Sequence, residues 1–336
     1  MSATPELATP WRIGPVPIAN RVVLAPLAGI GNWFVRLQAK RYGAGLAVSE
    51  MVSSFAIHHR NDKTLRELLR IHPEERSAGV GGPVSVQLFG QDPEVMRSAA
   101  ATVAERGADI IDLNMGCPVP KVCKTGAGAA LLKDPDTAVA VARAARQGSG
   151  LPVTVKLRSG QRPGETDGYE LAHRLVHDAG VSAIAFHPRS AAVHHKGTPD
   201  YDLAARLVAS LDAPVILTGG LRNPEAVRAA HERTGAAAVM LARGALGNPW
   251  LFAQVLGLRT SEPSHDEVLA ELDWVMERAV EHLGADRAGR YLRKFYPWYL
   301  ERLGASKTVQ QRMQETATVA DARAVLADLD ALSIAA

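Results

Sequence analysis

The sequence predicts an α/β protein, an eight-stranded (βα)8 TIM barrel followed by a small all-helical domain. Three observations predict it. From residue 22 onward, short Val/Ile/Ala/Leu-rich runs alternate with longer stretches of helical period, the pattern of a parallel sheet covered by helices. The runs number eight, the count that closes a barrel, and they fall within about 15–255, close to the roughly 250 residues such a barrel takes. After Trp250 strand-like runs stop. An open doubly wound sheet is the rival architecture that this alternation also admits.

The expected strands are Val22 to Pro26, Leu46 to Val52, Val84 to Phe89, Ile110 to Asn114, Val153 to Leu157, Ala183 to His187, Val215 to Thr218 and Ala238 to Leu241. Helices fit between them: Pro93 to Arg106 behind the cap Asp92, Gly168 to Ala179, Asp202 to Leu211, and Pro224 to Arg233 behind Asn223. Gly257 to Asp266, with Ser261, Pro263 and Ser264, reads as a linker, so the expected domains are 1–256 and 257–336. In the second, Val268, Leu269, Leu272, Val275, Met276, Ala279, Val280 and Leu283 mark one helix face. An aromatic-rich segment from Tyr291 to Tyr299 is divided or kinked by Pro297, and Val319, Ala322, Val325, Leu326 and Leu329 suggest a last helix.

The 336 residues are 47% hydrophobic and 22% charged with a net charge of +3, which excludes a disordered chain and a uniformly polycationic nucleic-acid binder. Cys117 and Cys123 make neither a disulfide framework nor a zinc spacing, so a reducing compartment and no metal are expected. Met1 to Arg12 lacks a basic segment followed by an apolar stretch, and no run nears the roughly 18 apolar residues of a membrane span. A monomeric, cytoplasmic protein with no membrane partner is the expectation.

Chemistry in such barrels gathers at the C-terminal strand ends. There the sequence places Pro26-Leu27-Ala28, Glu50, Gln87, Asn114-Met115-Gly116-Cys117-Pro118, Lys156-Leu157-Arg158, His187-Pro188-Arg189, Thr218-Gly219-Gly220 and Ala242-Arg243-Gly244. The last two follow strands seven and eight, where barrels hold phosphates on backbone amides, and Arg243 adds charge. Lys156 is placed to hold negative charge on a reduced ring cofactor or an enolate-like intermediate, or is simply neutralised by Glu50 or Asp112. His187 and Arg189, with His194, His195 and Lys196 in one loop, suit an anionic ligand. Cys117, between Gly116 and Pro118, reads equally as nucleophile, proton donor or inert thiol.

Taken together, Leu24-Ala25-Pro26-Leu27-Ala28-Gly29, Ser49-Glu50-Met51-Val52, Gln87, Asp112-Leu113-Asn114-Met115-Gly116-Cys117-Pro118-Val119-Pro120-Lys121-Val122 and Gly126-Ala127-Gly128 resemble the tRNA-dihydrouridine synthases, nearest their bacterial B-type branch. Val155-Lys156-Leu157-Arg158, Phe186-His187-Pro188-Arg189 and Ala242-Arg243-Gly244 through Trp250 continue the likeness, which runs from about residue 12 to the C-terminus. The resemblance implies tightly bound FMN in the barrel, NADPH as reductant, a helical tRNA-recognition domain, and reduction of specific tRNA uridines to 5,6-dihydrouridine. By that likeness Pro26, Leu27 and Ala28 pack on the isoalloxazine, Gln87 and Lys156 bond its polar edge, and His187 lies near flavin and substrate. Thr218, Gly219, Gly220, Ala242 and Arg243 would hold the FMN phosphate, and Asn114, Lys121 and Arg189 would meet the tRNA. Hydride from reduced FMN would go to C6 of the uracil and a proton from Cys117 to C5, with the uridine flipped out of its stack.

The tail suits that expectation. From 287 to 312 seven basic residues stand against one acidic, and Arg290, Arg293 and Lys294, interleaved with Tyr291, Tyr296 and Tyr299, offer phosphate and stacking contacts. The chain departs from the branch in three places: Thr218-Gly219-Gly220 replaces Asn-Gly-Asp, Ala242 precedes Arg243 in place of Gly, and Leu27 replaces Met. The missing carboxylate leaves the role of position 220 open. Two rival readings remain at this level, a small-molecule flavin barrel such as a dihydropyrimidine or dihydroorotate oxidoreductase, and a non-catalytic RNA-binding protein.

Overall fold

A computed structural model describes residues 6–77 and 79–334. The chain opens with an antiparallel hairpin, β1 (Trp11–Ile13) and β2 (Val16–Ile18). The barrel follows as β3 (Val22–Leu24), α1 (Trp33–Arg41), β4 (Leu46–Val48), β5 (Val52–Ser53), α2 (Ser54–His58), β6 (Val84–Phe89), α3 (Pro93–Glu105), β7 (Ile110–Met115), α4 (Pro120–Cys123), α5 (Pro135–Ser149) and β8 (Val153–Arg158). Next come α6 (Asp167–Ala179), β9 (Ala183–His187), α7 (Tyr201–Ser210), β10 (Val215–Thr218), α8 (Pro224–Thr234), β11 (Ala238–Leu241) and α9 (Trp250–Val255). All pairings from β3 onward are parallel, in the order β4-β3-β11-β10-β9-β8-β7-β6, and a β4–β6 pairing closes the ring. This is the eight-stranded barrel, and the open sheet is excluded by that closure.

The expected second strand is broken into β4 and β5, which pair with β6 at Ala47↔Val84 and Val52↔Leu88. Between them a side chain replaces the ladder: the Gln87 N–H donates to Ser49 Oγ at 2.9 Å, and Glu50 turns to accept from the Gly29 N–H at 2.9 Å. The hairpin was not expected, because Pro15 and Pro17 argue against a strand. An isolated two-stranded edge tolerates them, and Ile13 and Ile18 are buried against Leu46, Ile110, Ala183 and Ala238, the first residues of their strands. The hairpin therefore closes the end of the barrel opposite the strand C-termini.

The helices begin where their caps dictate. Asp92, Asp134 and Asn223 each accept backbone N–H groups of the first turn, with proline inside it. Behind α1, Arg36 is buried and donates through Nε and Nη2 to both oxygens of buried Glu75, at 2.8 Å each, while Lys40 Nζ bonds the Glu75 and Gly82 carbonyls. Removing one partner strands a charge in the core. Arg36→Met is expected to cost about 3–5 kcal/mol of unfolding free energy by denaturant titration, and a loss under about 1 kcal/mol would show that water reaches Glu75.

The chain divides into two compact units, one running to Gly244 with Leu251–Leu258, the other made of Ala245–Trp250 and the chain from Arg259. The second is helical: α10 (His265–Leu283), α11 (Ala285–Leu292), α12 (Tyr296–Arg302), α13 (Lys307–Glu315) and α14 (Val319–Ile334). The expected linker already contains the start of α10, because Ser264 and Glu267 form a reciprocal capping box that Arg259 braces through two bonds to Glu267. Leu272, Val275, Met276, Ala279, Leu292, Tyr296, Tyr299, Leu300 and Met313 form the buried side of this unit. The side chain of Leu329 lies outside the described residues. No helix among the described residues is long and apolar enough to cross a membrane.

Candidate active site

Alternation sends every second strand residue into the barrel, and register aligns them in rows. Gln87 stands opposite Asp112 and Asp112 opposite Thr154; one step higher Asn114 faces Lys156, and Arg158 faces His187. Above them the strand ends enclose a cavity of about 330 Å³. Its lining includes Pro26, Leu27, Ala28, Gln87, Asn114, Cys117, Lys156, His187, Thr218, Gly219, Gly220, Ala242 and Arg243. Thirteen residues drawn from seven strand ends thus meet at one mouth.

Cys117 is half-buried, and burial raises its thiol above the ordinary value. The side chain sits on a turn tied down from several sides. Asn114 Oδ1 accepts from the Gly116 and Cys117 N–H groups at 3.3 and 3.0 Å, Arg158 Nε donates to the Gly116 carbonyl at 3.0 Å, and Cys123 Sγ donates to the Cys117 carbonyl at 3.3 Å. Arg158 also donates to the carbonyls of Ser190 and His194, so one guanidinium joins the turn after β7 to the loop after β9.

Desolvation and the neighbouring Arg158 guanidinium lower Lys156 to about 8, while desolvation raises Asp112 to about 6 against its bonds from Thr154 and Gln87. Lys156 is therefore an incompletely neutralised cation beneath the mouth. His187 is held neutral, first by burial and then by Lys156, Arg158 and Arg189. Its Nε2 accepts from Arg189 Nη1 at 3.3 Å, which leaves the ring proton on Nδ1, and His195 stacks on it with centroids 6.1 Å apart.

Gly219 and Gly220 lie at φ +105° and +83°, the left-handed region that favours glycine. A Cβ at 219 would fall 2.4 Å from His187 Cδ2, and one at 220 would fall 2.4 Å from the Tyr201 hydroxyl. That hydroxyl donates to the Gly219 carbonyl at 2.9 Å. The phenol of Tyr201 therefore fills the space a side chain at 220 would need, which accounts physically for glycine there.

Other sequence-selected residues lie elsewhere. Lys121 is exposed on α4. Arg189 is buried and donates through Nε and Nη2 to the Gly197 carbonyl, holding its own loop. In the helical unit Arg290 and Lys294 are exposed, with Lys294 Nζ 4.7 Å above the Tyr291 ring. Arg293 instead donates twice to the Thr316 carbonyl, at 3.2 and 2.8 Å. The stacking role expected of Tyr296 and Tyr299 is corrected: both are buried, because they supply the apolar side of α12, and only Tyr291 of the three reaches the surface. Sequence reasoning missed Met51 and Arg222 as lining residues and gave Arg158 no role. Arg158 carried a signal, a second basic residue two positions past Lys156 on the same face of its strand; Arg222, four residues past β10, carried none.

A parallel barrel whose mouth sets a protonated thiol beside cations and a positive-φ glycine pair has the groups that a barrel enzyme would need to bind an anionic ligand and exchange a proton next to it. The comparisons with known proteins narrow that class. The chain belongs to the family described as dihydrouridine synthase (Dus), whose model matches residues 23–335, and it is accordingly an oxidoreductase. It is 36% identical over 296 residues to tRNA-dihydrouridine synthase B of Xanthomonas axonopodis pv. citri (strain 306), covering 86% of each chain. It is 35% identical over 316 residues to tRNA-dihydrouridine synthase B of Pseudomonas aeruginosa PAO1, covering 91% of this chain and 92% of that one. In fold it is similar to morphinone reductase, at a TM-score of 0.56 and 18% identity over 79% of this chain and 93% of that one. Among the described residues no cluster of three or more His, Cys, Asp or Glu is arranged to hold a metal ion.

Proposed function

We propose that this enzyme reduces specific uridines of tRNA to 5,6-dihydrouridine, with FMN held in the barrel mouth, NADPH as reductant and Cys117 as proton donor. The observation that carries the reading is the joint presence at one cavity of a protonated thiol, the half-buried cation Lys156 and a positive-φ glycine pair. The residues fit FMN: Gly219 and Gly220, at positive φ, leave the backbone after β10 bare at the cavity wall, Arg222 and Arg243 stand exposed at its rim, and Pro26, Leu27 and Ala28 present an apolar shelf. Bound at this site and reduced, FMN would supply the hydride for C6 of the uracil. Lys156 holds negative charge at the polar edge, and Gln87, whose amide keeps one N–H beyond its bond to Asp112, donates beside it. The Cys117 Sγ–H gives its proton to C5 as charge builds there, and neutral His187 adds no competing acid.

Cys117 and Lys156 both work protonated. Turnover is therefore expected to be full only well below pH 8, to be about halved near pH 8 as Lys156 loses its proton, and to fall further as the raised thiol ionises. A pH–rate profile that climbs through pH 8 would contradict these roles.

The helical unit is the proposed tRNA-recognition domain. Arg290→Ala with Lys294→Ala is expected to weaken tRNA binding and to flatten the dependence of log K on log salt by about 1–2, leaving NADPH oxidation unchanged. Arg293→Ala should instead lower stability by about 1–2 kcal/mol, since its bonds go to Thr316. Unaltered binding in the double variant would remove the tail assignment. The function itself is tested by reducing the flavin anaerobically and following its reoxidation on adding an unmodified tRNA transcript, with fully modified tRNA as control. Reoxidation by the unmodified transcript alone is expected. A flavin indifferent to tRNA would point to a small-molecule reductase, and a purified protein without flavin to an RNA-binding role.

A further inference from the structure

Beneath Cys117 runs a chain of buried side-chain hydrogen bonds whose direction is not arbitrary. Asn114 Oδ1 faces two backbone N–H groups, those of Gly116 and Cys117, which only donate. Its Nδ2 must point the other way, and it donates to Gln87 Oε1 at 2.9 Å. That turns Gln87 Nε2 onto Asp112 Oδ2 at 2.6 Å, while Thr154 Oγ1 donates to Asp112 Oδ1 at 2.5 Å. Asp112, Gln87, Thr154 and Asn114 are 1%, 0%, 4% and 9% exposed, so no bulk water substitutes for a lost partner. Turning either amide over would set donor against donor or oxygen against oxygen, and a half-satisfied buried network is worse than none.

We infer that Asp112 is a positioning residue for Cys117: an acceptor at the foot of the chain holds Gln87 with its oxygen toward Asn114, and so supports the Asn114 amide and the turn that presents the thiol. The inference rests on Cys117 being the proton donor. It extends the support of the thiol three side chains away, to a carboxylate that neither touches the turn nor itself lines the cavity.

The two ends of the chain can be exchanged. Asn114→Asp puts an oxygen against Gln87 Oε1; if Gln87 turns over to meet it, its oxygen then faces the Asp112 carboxylate. Asp112→Asn alone is benign, since the new amide can accept from Gln87 and donate to Thr154 Oγ1. Combined, Asp112→Asn and Asn114→Asp restore every bond with Gln87 reversed. The test is made in a Cys123→Ser background, where Cys117 is the remaining thiol, on the flavin-loaded protein as purified. The readout is the plateau rate of alkylation by iodoacetamide at high pH, which reports thiol presentation and not thiol pKa. Asn114→Asp is expected to raise it about tenfold, Asp112→Asn to change it less than about twofold, and the double variant to return within about threefold of the parent, a non-additivity typical of residues sharing one network. Turnover with tRNA should fall through kcat in Asn114→Asp, where the thiol is no longer held for proton transfer.

A double variant as fast as Asn114→Asp, or an Asn114→Asp protein at the parent rate, would overturn the inference. Should Asn114→Asp alone fail to give soluble protein, recovery of soluble double variant with parent-like alkylation supports it, and failure of both overturns it. Alkylation does not depend on turnover, so the acid role of Cys117 can fail, by undiminished activity of Cys117→Ala, while the relay stands.

Discussion

Cys117→Ala is expected to retain its flavin and to lose about 10²–10⁴-fold in turnover with tRNA, the usual contribution of a positioned general acid. The loss should fall on kcat, since the thiol makes its contribution only as charge develops on the substrate. Two features support the role proposed for Cys117. Burial keeps the proton on sulfur at neutral pH, and the turn is fixed by Asn114, Arg158 and Cys123 so that the thiol meets the cavity without rearrangement. Stopped-flow reduction of the flavin by NADPH should be unchanged in the variant, while reoxidation by tRNA slows. Undiminished turnover would mean that solvent or another group delivers the proton.

Gly219→Ala is expected to yield protein without bound flavin and with a markedly lowered melting temperature. At φ +105° an L-residue carries a backbone cost of about 1–3 kcal/mol before any contact is counted. The added methyl would also fall 2.4 Å from His187 Cδ2 and 2.6 Å from Nε2, and His187 is itself pinned by Arg189. The loop must therefore move, and the amides that would hold the phosphate move with it. Gly257→Ala is the control: its φ is +74°, but nothing lies within 4 Å of the added carbon, so it should carry the backbone cost alone and keep its flavin. Stoichiometric flavin in Gly219→Ala would show that the cradle is not at β10.

Much of the fold was legible because it follows from repeats a chain cannot hide. Runs such as Val22 to Leu24, Ala183 to Phe186 and Ala238 to Leu241 are apolar on both faces, as strands buried between a barrel interior and a helix layer must be, and caps such as Asp92 and Asn223 mark where helices start. The hairpin at Trp11–Ile18 was not legible, since its prolines conceal it and only the need to seal the barrel floor calls for it. Nor was the break in the second strand, where a serine hydroxyl stands in for a backbone partner.

For the site, the sequence by itself determined which residues stand at the strand ends, because period-two alternation and the count of strands place Gln87, Asn114, Lys156, His187 and Gly219 there without any contact being known. Only the tertiary structure decided what each of them does with its polar atoms. Register sets Gln87 beside Asp112 and Thr154, a loop carbonyl claims Arg189, the Thr316 carbonyl claims Arg293, and the core claims Tyr296 and Tyr299. The physical reason is that placement along a strand or helix is a local property of the chain, whereas the partner of a buried donor or acceptor is chosen among residues distant in sequence that only packing brings together.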